Sequence, residues 1–187
     1  MLIETNRLVL RVPQENDFDA WAAFMADDVA TKFLGGPQPR SVAWRGMATM
    51  TGSWALRGYG MFSVIERATS KWIGRIGPWS PEGWPGFEVG WGLIREAWGK
   101  GYALEAATAA IDWTFNTLGQ PEIIHCIDPE NTASLALAQK LGSGFRGPGR
   151  MPPPFEHEKV DLWGQTAEAW RKARSEKGSA LFLAKNI

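Results

Sequence analysis

Between Phe87 and Phe115 the chain reads FEVGWGLIREAWGKGYALEAATAAIDWTF, and this stretch constrains the architecture more than any other. FEVGWGLI has the aromatic and β-branched content of a strand. Gly99 and Gly101 follow one residue apart, and Leu104, Ala107, Ile111, Thr114 and Leu118 then form one face of a helix that Gly119 closes. The first amides of a helix lack an intrahelical acceptor and sit at the positive end of its dipole. Glycines let a ligand approach that backbone with no Cβ in the way, so phosphate is the natural guest. Lys100 adds a formal positive charge beside it. A strand-to-helix turn with no ligand is the competing reading of the same residues. Both common nucleotide patterns fail. A dinucleotide fingerprint needs glycine where Leu104 stands and a carboxylate after the next strand, whereas Glu122 precedes it; a Walker A loop needs Ser or Thr where Gly101 follows Lys100.

The remainder alternates similarly. LVLRV reads as a first strand, and Asn16 is placed to cap a helix carrying Phe18, Trp21 and Met25. A second helix stacks Trp44, Met47, Thr51 and Trp54 before Gly58 and Gly60 stop it. MFSVIER and KWIGRIGPW predict a hairpin, IIHCI a short buried strand, and Asn131 or Thr132 the cap of a helix ending at Gly142. FRGPGRM and EKVDLWGQ read as a closing strand pair, and residues 166–187 as a C-terminal helix and tail. With no repeat or linker, residues 1–187 are expected to form one mixed α/β domain of the α+β type.

Twenty Lys and Arg balance twenty Asp and Glu, which argues against a nucleic-acid partner. One cysteine and two histidines argue against a structural zinc site, and no metal is expected. The polar MLIETNRLVLR start and the lack of an apolar run of about 18 residues predict neither a secretory signal nor a membrane span, hence a cytoplasmic protein. Tryptophan, at 11 copies, is abundant enough to serve both core and ligand pocket.

EAWGKGYALEA, preceded by FEVGWGLI and followed by PENTASLALAQKLGSGF, resembles the GCN5-related N-acetyltransferase (GNAT) superfamily. ETNRLVLRVPQENDFDAW and ADDVATKFLGG narrow the likeness to the branch containing the ribosomal-protein N-terminal acetyltransferases, over about Leu2 to Gln165. The resemblance implies a mostly antiparallel mixed sheet flanked by helices and splayed between its fourth and fifth strands. It implies acetyl-CoA as co-substrate, with amides of Gly99, Lys100, Gly101, Tyr102 and Ala103 on the pyrophosphate. The backbone near Leu93 and Ile94 would pair with the pantetheine arm as an added strand does, and amides near Leu93 would face the oxyanion. Asn131 and Ser134 would line the same arm. Two residues depart from the pattern: Glu96 stands where Gln or Arg is common, and Ala138 where many members carry a tyrosine that protonates the leaving thiolate. Ser134 or water would then take that role, or the thiolate would leave unaided.

The implied reaction is attack of a neutral amine on a thioester. Glu88 is the first candidate base, because apolar neighbours Phe87, Val89 and Trp91 would raise its pKa; an arginine-paired or solvated glutamate is the alternative. His125 in IIHCI is the second candidate, against a hydrogen-bonded core histidine. Trp44, Trp54, Trp79, Trp84 and Phe155 are expected on the acceptor side, suiting a small-molecule amine or a peptide N-terminus. A homodimer is compatible with all of this. The rival functions are a non-catalytic acyl-CoA-binding or sensing module on the same fold and an unrelated phosphate-binding or hydrolytic protein.

Overall fold

The computed structural model describes the backbone of residues 1–184 and side chains through residue 176. Its strands are β1 (Leu2–Glu4), β2 (Leu8–Arg11), β3 (Phe62–Glu66), β4 (Trp72–Trp79), β5 (Glu88–Leu93), β6 (Glu122–Ile127), β7 (Gly144–Pro148) and β8 (Asp161–Thr166). The helices are α1 (Phe18–Ala26), α2 (Arg40–Arg57), α3 (Tyr102–Asn116), α4 (Thr132–Lys140) and α5 (Ala167–Ala184). All eight strands join one sheet in the order β1-β2-β3-β4-β5-β6-β8-β7. Only β5 and β6 run parallel. No helix among the described residues is long and apolar enough to cross a membrane.

Two local expectations are corrected. The three-residue strand β1 pairs antiparallel with β2 through Ile3 and Leu10, and its exposed ends carry too little alternation to announce it. Asn16 does not cap α1: a single 3-10 turn, Glu15–Asp17, leads into the helix, and Asp17 accepts from the Gln14 N–H at 2.9 Å. Asp17 stands at the start of α1 and its carboxylate is also bound by Arg11, six residues away, and by Ser63, distant in sequence. The C-terminal helix α5 runs over Ala167–Ala184, and tail residues 185–187 lie outside the described residues.

The splay expected between the fourth and fifth strands falls between β5 and β6, one number later because of β1. The two strands share a single register pair, Glu88 with Ile124. Beyond it they diverge, and the His125 ring spans the gap, with Nδ1 donating to Val89 O at 2.6 Å.

Register separates the two faces, since directly opposed residues point the same way. Leu10, Val64, Phe62, Ile76 and Val89 lie under α3, whose alanines Ala106, Ala107 and Ala110 are fully buried and let the helix approach closely. Arg11, Ser63, Arg75, Trp79 and Glu88 share the opposite face with α1 and α2. That face is polar at its centre.

Candidate active site

Gly99 and Gly101 both hold positive φ, +72° and +79°, and Gly101 is the residue from which α3 springs. From Gly99 through Leu104 no backbone N–H meets a protein acceptor among the described residues; the next one that does is Glu105, on Gly101 O at 3.1 Å. A Cβ on Gly99 would meet nothing within 4 Å, so that side of the loop is open rather than packed against protein. Six consecutive free donors at a helix start fit a diphosphate. The resemblance's co-substrate therefore matches the donors present.

The cradle is held from behind by a residue the sequence did not single out. Arg7 donates from Nε to Glu105 at 2.6 Å and from Nη1 to Lys100 O at 2.8 Å, while its guanidinium lies 4.5 Å from the Tyr102 ring centroid. Tyr102 in turn donates its hydroxyl to Glu66. Lys100 and Glu96 are exposed, so Glu96 does not intrude on the anion site. A clamp separated from its target by nearly a hundred residues leaves no local signal.

The cradle opens into a cavity of about 1120 Å³ that also reaches Glu88, His125, Asn131 and Ser134. Glu88 is buried, and burial raises its carboxyl to about 7 despite two donors. Trp84 Nε1 bonds one oxygen at 2.6 Å and the Cys126 N–H the other at 3.2 Å. Such a carboxyl is divided between acid and base forms at neutral pH. Burial and the Glu88 carboxylate together push the Cys126 thiol well above its ordinary range.

His125 is fully buried and burial lowers it to about 4. Because a carbonyl can only accept, the Val89 bond fixes the proton on Nδ1, and Nε2 accepts from Ser143 Oγ at 2.9 Å. Gln165 completes the chain by donating to Ser143. Both ring nitrogens are hydrogen-bonded within the protein, so His125 bridges β5 and Ser143.

Asn131 caps α4 by accepting from the Ser134 N–H at 3.1 Å. Ser134 Oγ accepts from Trp91 Nε1 at 3.1 Å, which orients the hydroxyl without using its proton. Ala138, in the last turn of α4, is fully buried and supplies no acid. Leu93 lines the cavity, but Ile94 does not: its N–H is spent on Ile73 O at 3.0 Å.

The aromatic residues divide. Trp79, Trp84 and Phe155 line the cavity, with Trp84 and Phe155 edge to face at 6.2 Å. Trp54 is packed into the core against Phe62 and Trp113, its Nε1 donating to Met61 O. Trp44 stacks on Phe18 and borders a separate groove beside Pro13. Helical spacing placed both on one face of α2, but which side that face meets is decided by the sheet.

Comparisons with known proteins agree with this geometry. The acetyltransferase (GNAT) domain family matches residues 7–143. The chain is 34% identical over 140 residues to the uncharacterized N-acetyltransferase p20 of Bacillus licheniformis, covering 73% of this chain and 79% of that protein. An acetyltransferase from Agrobacterium tumefaciens superposes with a TM-score of 0.79 at 30% identity, over 88% of this chain and 94% of its own. The ribosomal-protein-S5-alanine acetyltransferase of Vibrio fischeri shares the fold, with a TM-score of 0.68 at 18% identity over 91% of this chain and 98% of its own.

Proposed function

The chain belongs to the GNAT acetyltransferase family, and from that premise we propose that it transfers acetyl from acetyl-CoA to a primary amine by direct attack, with Glu88 as general base. The observation that carries this reading is one cavity holding both the free amides of Gly99–Leu104 and a carboxyl poised at about 7. Acetyl-CoA supplies the acyl group as a thioester. The cradle amides bind its diphosphate, and Leu93, Asn131 and Ser134 flank the arm that follows. The unpaired edge of β5 toward β6, left open by the splay, offers backbone groups to that arm.

Glu88 in its ionised form accepts a proton from the acceptor's ammonium group. The neutral nitrogen then bonds to the acyl carbon, the carbon–sulfur bond breaks, and the second proton that nitrogen sheds as the amide forms passes to the departing sulfur, leaving a neutral amide and a thiol. Ser134 is the protein hydroxyl placed to relay that proton, giving its own to the sulfur and taking the one nitrogen sheds, with Trp91 orienting it. His125 acts as a strut across the splay. Trp79, Trp84 and Phe155 form the acceptor wall, and Trp84 also sets the Glu88 carboxyl in place.

The test is mass-spectrometric detection of N-acetylated product across a panel of peptide N-termini and small amines, with thiol release followed in parallel. Product formation that depends on Glu88 supports the reading. Acetyl-CoA that raises Tm while every amine stays unmodified would favour the non-catalytic binding module instead.

A further inference from the structure

Arg75 projects from β4 onto the same sheet face as Glu88, and although the two charges attract across that face, no carboxylate among the described residues bonds its guanidinium. The residue is only 8% exposed and lines the cavity. Its Nη1 reaches the Met50 sulfur at 3.5 Å, a weak acceptor, and its guanidinium lies 5.5 Å from the Trp21 ring centroid. Nε is buried with no partner. Among the described residues no carboxylate lies within ion-pairing distance. The buried acids on this face are bound elsewhere: Asp17 holds Arg11, Ser63 and the Gln14 N–H, and Glu88 holds Trp84 and the Cys126 N–H. Arg75 and Glu88 attract each other through space but make no hydrogen bond or ion pair. Arg75 stands opposite Gly92 and Glu88 opposite Trp79. The Met61 methyl sits over Gly90, in the row between them.

A buried guanidinium with an orphaned donor is costly unless an anion completes it, and its planar fork matches a carboxylate in two bonds. We propose that Arg75 is a specificity-determining residue that binds a carboxylate on the acceptor, so that the substrate is an amine bearing its own carboxyl group. This rests on the reading of the chain as an amine acetyltransferase. The acceptor's nitrogen faces Glu88 while its carboxylate faces Arg75. Walls of Trp21, Met25, Met50 and Met61 leave that end of the cavity closely lined. Free amino acids and peptides with an acidic first residue both present this chemistry.

Matched pairs test it: free amino acids against their amides, and short peptides beginning with Asp against those beginning with Asn. The expected result is at least a tenfold higher kcat/KM for the carboxylate member of one pair type, with that ratio falling toward one in Arg75→Met and partly kept in Arg75→Lys. The pair type that shows the preference names the source. Equal turnover of both members in the wild type overturns the assignment while leaving acetyl transfer intact. So does a preference that moves with a carboxylated acyl donor rather than with the acceptor. A binding arm is independent of turnover: calorimetry with the N-acetylated carboxylate product and its amide should show tighter binding of the carboxylate in the wild type only. Equal affinities there also refute it.

Discussion

Replacing Glu88 with glutamine removes a titrating group and little volume, and its consequences can be worked through. With the carboxyl at about 7, its ionised fraction rises from about one-tenth at pH 6 to about nine-tenths at pH 8. If Glu88 is the base, the ratio of wild-type to Glu88→Gln kcat/KM climbs about tenfold over that interval. The acceptor's own ionisation is common to both proteins and cancels. At pH 8 the loss in kcat is about 10²-fold or more, the ordinary contribution of a general base. Stability moves in a linked way. An acid raised from 4.5 to about 7 in the fold contributes stability that is complete below pH 4.5 and is lost as pH rises to 7. At about 1.4 kcal/mol per pH unit that loss is about 3 kcal/mol. His125, lowered to about 4, acts oppositely: its contribution is present above its unfolded value near 6.5 and fades as pH falls toward 4. That effect is shared and also cancels. Urea unfolding of both proteins from pH 5 to 8 should therefore show the variant gaining about 3 kcal/mol on the wild type. Glutamine keeps only one accepting oxygen where Trp84 and Cys126 each need one, which lowers the variant's whole curve by about 1–3 kcal/mol without changing its gain from pH 5 to 8. A wild-type to variant ratio that stays flat from pH 6 to 8 refutes the assignment of the base.

Five further substitutions separate the parts of the site and its surroundings. Gly101→Val places a β-branched residue at φ +79° with Arg7 3.4 Å from its Cβ, so acetyl-CoA binding by calorimetry should weaken at least tenfold, with strain of about 1–3 kcal/mol in denaturant. Arg7→Ala frees the cradle from behind; since Arg7 is half exposed, the expected effect is a KM for acetyl-CoA raised a few-fold with kcat preserved, and an unchanged KM would remove Arg7 from the cradle. Ser134→Ala should lower kcat about tenfold without changing acetyl-CoA affinity if its hydroxyl serves the leaving sulfur. Trp54→Ala should cost about 3–5 kcal/mol in unfolding, whereas Trp79→Ala should leave Tm nearly unchanged and raise only the acceptor KM.

What the sequence determined by itself is what local chemistry can encode. The glycines at 99 and 101 specify a helix start whose amides are left free, because only the residues in that window decide the turn. Asn131 specifies a cap three residues from the N–H it accepts. The placing of Glu88 among apolar neighbours also foretold its raised pKa, though not that Trp84 would hold it. Tertiary structure decided the rest, for reasons of distance and direction. Periodicity groups Trp44 with Trp54 on one helix but cannot tell which faces the core or a groove. His125 becomes a strut only because β5 and β6 part beside it. Arg75 reads in the sequence as an ordinary strand arginine. Its significance arises when the sheet buries it beside a cavity and every neighbouring acid is already bound.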